Sequence, residues 1–203
     1  MKTIIVLFII LASSHADIDA LGQPRTEWPH FTNGAFWQYR VTEQGDYLKT
    51  ERELNGLYEV AYTNGHFKVF KLEMNRKNEI QTGTGVLIGL VGQTPLQHMQ
   101  FPLFPGKSWT TEYTFRPRRR EVDRQVQATT KITAFGEVRI DLGPFESFTL
   151  ERDARFKHVD HWSFVYHWSP RTKSVVKYRM DVLKGDAVGN KREIELIRFG
   201  LPG

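Results

Sequence analysis

The sequence predicts an all-β protein: a single-domain antiparallel curved sheet, open barrel or sandwich of about 9–12 strands. Three observations lead there. From Phe148 to Val182 apolar and aromatic residues recur at every second position. Phe148, Leu150, Ala154, Phe156, Trp162, Phe164, Tyr166 and Trp168 share one parity, and Val176, Tyr178, Met180 and Val182 resume it after Ser169-Pro170. A period of two lines one face of an extended strand, whereas on a helix these side chains would scatter around the axis. Next, Tyr58, Val60 and Tyr62 alternate up to Asn64-Gly65, and Phe67 and Val69 follow at once. Asn-Gly between alternating runs marks a hairpin, because both residues accept the positive φ of a tight turn. Finally, no stretch of about a dozen residues carries a 3.6-residue apolar period.

In chain order, Lys2, the apolar run Ile4 to Ala12 and the small residues before Asp17 have the anatomy of a secretory signal peptide, residues 1–16, cleaved after Ala16. The run is about half the roughly 20 residues that span a bilayer. The remaining residues 17–203 read as one domain, with 17–32 an irregular leader. A first strand covers Phe36 to Val41 and ends at Gln44-Gly45-Asp46, and Asn55-Gly56 marks a turn. Gly83, Gly85, Gly89 and Gly92 lack the Gly-Lys-Ser/Thr ending of a phosphate loop and read as a bent or bulged strand. Phe104-Pro105-Gly106 sets a turn into a strand from Thr110 to Phe115. Val126 to Ala134 forms another strand, Val138 to Leu142 a short separate one, and Arg192 to Phe199 closes the chain.

The chain of 203 residues has no cysteine and a net charge of +5. This rules out disulfides, a thiol nucleophile and a lipid-modified cysteine, and it fits an exported bacterial protein, periplasmic or secreted. No second apolar segment is long enough to cross a membrane after processing; Val86 to Val91 is interrupted by Gly89. Catalytic signatures are missing. The serines Ser108, Ser147, Ser163, Ser169 and Ser174 lie in neither Gly-x-Ser-x-Gly nor Ser-x-x-Lys. Strand parity splits His158 and Asp160 from His161 and His167, so they cannot converge on one ion from a single strand, although a ligand from a neighbouring strand could complete a pair. With His98 they read as polar, partly exposed strand residues, and no metal or cofactor is expected.

Two clusters remain as candidate sites. Trp109, Trp162, Phe164, Tyr166 and Trp168 offer an aromatic inner face, which either fills the core or lines a cavity for a lipid or other small amphipathic ligand. Arg116, Arg118, Arg119, Arg120 and Arg124 form a basic run, read either as a solvated loop or as a patch for an anionic envelope component. Nucleic acid is not expected as a partner, since export removes it and the aromatics alternate as core residues.

Three motifs follow one another: Pro102-Leu103-x-x-Gly106-x-x-Trp109, then Gly136-x-Val138-x4-Gly143-x-Phe145-x2-Phe148, then Tyr166-x-Trp168-x-Pro170 running into Val175-Val176-Lys177. In this order they resemble a group of exported bacterial all-β domains of unknown function related to the TapB-like proteins, over about residues 100–199. The resemblance implies a curved antiparallel sheet or open barrel and an envelope location, and it supplies no catalytic residues. The arginine-rich run and the Phe101 and Phe104 pair depart from the pattern. The expectation is an exported non-catalytic protein that binds an apolar or amphipathic ligand. The alternatives are a structural or protein-interaction module, or a hydrolase without a recognisable motif.

Overall fold

The computed structural model describes residues 17–18, 22–46, 51–64, 66–73, 80–82, 90–91, 96–97, 99–115, 124–157 and 160–202. Among them there is no helix, and so none long and apolar enough to cross a membrane. Two short strands, β1 (Asp17–Ile18) and β2 (Pro24–Arg25), pair with each other inside what the sequence presents as an irregular leader. A meander follows: β3 (Phe36–Asp46), β4 (Glu51–Thr63), β5 (His66–Glu73) and β6 (Ile80–Thr82). After the small pair β7 (Leu90–Val91) and β8 (Leu96–Gln97) comes a second meander: β9 (Ser108–Phe115), β10 (Arg124–Ile140), β11 (Gly143–Phe156), β12 (His161–Ser169), β13 (Ser174–Lys184) and β14 (Lys191–Gly200). The last strand lies beside β3, joining the two meanders into one antiparallel ten-stranded sheet in the order β6-β5-β4-β3-β14-β13-β12-β11-β10-β9. The sheet does not close, leaving β6 and β9 as its edges.

The expected turns form where their chemistry demands. Asn64 takes a φ of 52° between the paired Thr63 and His66. Gly106 takes 89° in the turn after Pro105, the combination a type II turn needs. Pro170 opens the loop between β12 and β13, where the Thr172 hydroxyl donates to the Ser169 carbonyl at 3.4 Å or the Ser174 carbonyl at 3.1 Å.

Other local signals were overridden by pairing. Asn55-Gly56 is not a turn but lies inside β4, opposite Thr42 and Val41. The first strand does not end at Val41 before a Gln44-Gly45-Asp46 break but includes those residues as β3. The two strands read from Val126 to Leu142 are a single strand, β10. Its alternation breaks at a bulge between Ile132 and Ala134, so Ala134 faces solvent, while Leu142 sits exposed in the two-residue turn before β11. The Gly83 to Gly92 glycines lie outside the described residues.

Bulges also interrupt β13 near His167/Trp168 and β14 near Leu196/Arg198. Each adds local twist and bends its strand. Consecutive residues are buried where the sheet turns, as at Ser147 and Phe148, Trp168 and Ser169, and Val175 and Val176. The bend is visible in one contact. Phe145 on β11 and Phe199 on β14 are three strand spacings apart, about 14 Å if the sheet were flat, yet their ring centroids are 6.2 Å apart. The concave face therefore encloses the core: Trp37, Tyr39 and Val41 from β3, Ile132 from β10, Phe148 and Leu150 from β11, and Ile194 and Leu196 from β14.

Candidate functional site

Register alone assembles the centre of the concave face. Trp109 on β9 pairs with Thr130 on β10, Thr130 with Arg152 on β11, Arg152 with Phe164 on β12, Phe164 with Met180 on β13, and Met180 with Arg192 on β14. Paired residues point to the same side of a sheet, so this row crosses six strands on one face. Arg192 ends the row in an ion pair with Glu43.

Of the five aromatic residues singled out from the sequence, Trp109, Phe164, Tyr166 and Trp168 are buried in this core, and Trp162 is partly buried against it. Their rings pack on one another. Phe164 stacks on Tyr166 at 6.1 Å, Tyr166 meets Tyr178 at 5.1 Å, and Trp162 meets Phe156 at 4.5 Å. Trp168 lies further along, edge-on to Phe101 at 5.3 Å, beneath the segment that enters β9.

In the middle of this apolar surface stands a residue the motif reading passed over. Arg152 is only 2% exposed. Its Nη1 donates to Thr130 Oγ1 and its Nη2 to Thr111 Oγ1, both at 3.3 Å, and the guanidinium lies 5.7 Å from the centre of the Tyr113 ring. Those bonds are long for a charged donor. The Nε atom has no hydrogen-bond partner, and no carboxylate among the described residues pairs with the side chain. Two more buried donors on the same face lack partners: the Tyr166 hydroxyl and Trp109 Nε1. Burial drives the Tyr166 phenol well above its usual range, while the Arg152 charge pulls it back and Tyr113 adds to the rise. The signal for Arg152 was in the sequence: it shares the parity of Leu150 and Ala154, which places a cation on the apolar face.

The basic run divides. Arg116, Arg118, Arg119 and Arg120 lie outside the described residues. Arg124, at the start of β10, is largely buried and bound to Asp160 in an ion pair, so its charge is locally neutralised. His98 and His158 also lie outside the described residues. On the outer face His161 contacts Asp153, and Ser163 sits opposite Asp153 in the register. No hydrogen bond joins the serine to the imidazole, so the three do not form a nucleophile and base pair. A groove of about 150 Å³ on that face is lined by Arg40, Thr42, Lys177, Glu193, Ile194 and Glu195. Its bases are engaged, Arg40 with Asp141 at 2.7 Å and Lys177 with Glu195 at 3.8 Å.

His167 makes a titration test possible. It faces Thr149, whose hydroxyl lies 3.2 Å from Nδ1, and it pairs in register with Lys177. Burial, followed by the Lys177 charge, holds the imidazole below its ordinary 6.5. The unfolded chain therefore takes up the proton first as pH falls. Stability is untouched above about pH 6.5 and declines below it until the depressed folded value is passed. His167→Gln is expected to reduce that acid-side decline in urea midpoints measured from about pH 7 to pH 5. An unchanged slope would mean that the imidazole protonates freely in the folded protein.

No known family model matches the chain, and no curated protein does. The TapB-like resemblance therefore stands on its three motifs alone. A solved structure with a similar chain path is the crystal structure of the hypothetical lipoprotein YmcC from Escherichia coli (K12). It is 11% identical, with 82% of this chain and 86% of that chain covered and a TM-score of 0.49.

Proposed function

We propose that this chain is an exported, non-catalytic binding protein of the bacterial envelope or secretome that holds an apolar or amphipathic small molecule against the concave face of its sheet. The observation that carries this reading is the mixed character of that face: among packed aromatic rings stands a buried arginine that no acid among the described residues balances. A core that served stability alone gains nothing from such a residue, because taking a charge out of water costs several kcal/mol unless it is paired. On this reading the ligand lies against the packed rings of Trp109, Phe164, Tyr166 and Trp168, entering from the partly exposed Trp162. The arginines Arg116, Arg118, Arg119 and Arg120 add a positive field that would draw in an anionic molecule, an effect that salt would weaken.

The test is native mass spectrometry of protein purified without detergent from its host. A small molecule retained in gentle conditions and released on unfolding is the expected result. A spectrum showing only the bare chain, together with no heat signal on titrating a panel of amphiphiles, would overturn the reading in favour of a protein-interaction or scaffold role.

A further inference from the structure

We infer that Arg152 is the recognition point for the anionic head of an amphipathic ligand, an oxyanion such as a carboxylate or phosphate, with Tyr166 and Trp109 completing the donor set. This rests on the binding role proposed above and specifies the class of molecule bound. Arg152 carries five N–H donors, of which two are used, each by a threonine hydroxyl at 3.3 Å. The partnerless buried atoms on this face, Arg152 Nε, the Tyr166 hydroxyl one diagonal step away and Trp109 Nε1 two strands along the same register row, can all donate. An arginine and an indole cannot accept a hydrogen bond, and the Tyr166 hydroxyl, which could, accepts from neither of them here.

Their complement is a group made of acceptors with negative charge. Carboxylate and phosphate oxygens meet that description and match the planar fork of a guanidinium. A neutral alcohol offers one oxygen, no charge and a competing donor. The setting raises the selectivity, because charges interact more strongly in a poorly solvated site than in water. Position follows from the register. Arg152 lies opposite Phe164, with Tyr166 and Trp162 as its diagonal neighbours on β12. A head group at Arg152 would leave the apolar part of the ligand along Phe164 and Trp162, toward the partly exposed end of the ring row. The threonine contacts, Thr111 and Thr130, act as positioning residues that hold the guanidinium across β9 and β10.

The experiment is calorimetric titration of wild-type protein, Arg152→Met, Arg152→Lys and Tyr166→Phe with dodecanoate, dodecyl phosphate and dodecanol, with a thermal melt of each variant. Wild-type protein is expected to bind at least one of the two anions at least tenfold more tightly than the alcohol, and the preferred anion distinguishes a carboxylate ligand from a phosphate one. Arg152→Met is expected to lose that preference while still binding dodecanol. Arg152→Lys is expected to keep only part of it, because an ammonium lacks the fork, and Tyr166→Phe to reduce anion affinity without touching alcohol affinity. Equal binding of the anions and the alcohol by the wild type, or full anion preference in a folded Arg152→Met, would overturn the head-group assignment and leave the binding role standing. If none of the three amphiphiles binds the folded wild-type protein, the assignment falls together with that role. Should Arg152→Met melt early, Arg152→Lys carries the same comparison, and an undiminished anion preference there overturns the assignment.

Discussion

Trp168→Ala is expected to lower the stability of the protein by about 3–5 kcal/mol, the range for removing a large aromatic side chain from a packed core. Trp168 is 2% exposed. Its indole packs edge-on against Phe101 at 5.3 Å and at a tilt against Phe148 at 6.5 Å, and Phe148 in turn lies 4.6 Å from Phe135. Removing the indole would strip partners from three elements at once: the segment that leads into β9, strand β11 and, through Phe148, strand β10. The cavity cannot refill from Val175 or Ser174, the register partners of this end of β12, because β-branched and small side chains lack the reach. Urea unfolding monitored by circular dichroism reads the loss directly. Trp168→Phe, which keeps a ring in place, is expected to cost much less. A loss below about 1 kcal/mol for the alanine variant would mean that the indole is not packed as described. Any effect of Trp168→Ala on ligand binding must be corrected for this destabilisation.

A second large effect is expected at Gly45, through the backbone. Gly45 adopts a φ of 138° in β3, a conformation that side-chain-bearing residues rarely take. A β-carbon there would meet the Asn190 side-chain oxygen at 1.9 Å and the Asn190 Cα at 2.7 Å. The second contact is with main chain and cannot be relieved by a rotamer change. Asn190 is itself held in the β13–β14 turn, its N–H donating to the Ala187 carbonyl at 3.1 Å and its carbonyl accepting from the Val182 N–H at 3.0 Å. Gly45→Ala combines φ strain with overpacking and is expected to cost about 3 kcal/mol, which for a chain of this length is a fall in melting temperature of about 10 °C. The control is Gly136→Ala in β10, where φ is not positive and no atom lies within 4 Å of the added methyl. It is expected to be neutral or slightly stabilising. If the two alanine variants melt together, the close approach of β3 to the β13–β14 turn is wrong.

Much of the fold can be read one strand at a time because the signal is local. A side chain's face depends only on its parity, so the buried rows from Phe148 to Phe156 and from Phe164 to Trp168 follow from counting by two. Asn64-Gly65 and Phe104-Pro105-Gly106 become turns for equally local reasons of permitted φ. Asn55-Gly56 and Gly45 carry the same residue types and do the opposite. There β3 and β4 gain continuous pairing across both positions, and the ladder outweighs the turn preference. The bulge beside Thr133 has no local mark either, since an extra residue in one strand is defined only by its partner, and the missed exposure of Ala134 follows from it.

The candidate site divides along the same line. By itself the sequence determined the all-β class, the hairpins and the presence of Arg152 on the apolar face, because strand parity and turn chemistry operate over a few neighbouring residues. Only the tertiary structure decided that the sheet bends enough to bring Phe145 to Phe199, that Arg124 is neutralised by Asp160, and that Arg152 meets two threonines from β9 and β10 and no acid among the described residues. Those outcomes depend on strand order and register between residues tens of positions apart, which parity within a strand does not encode.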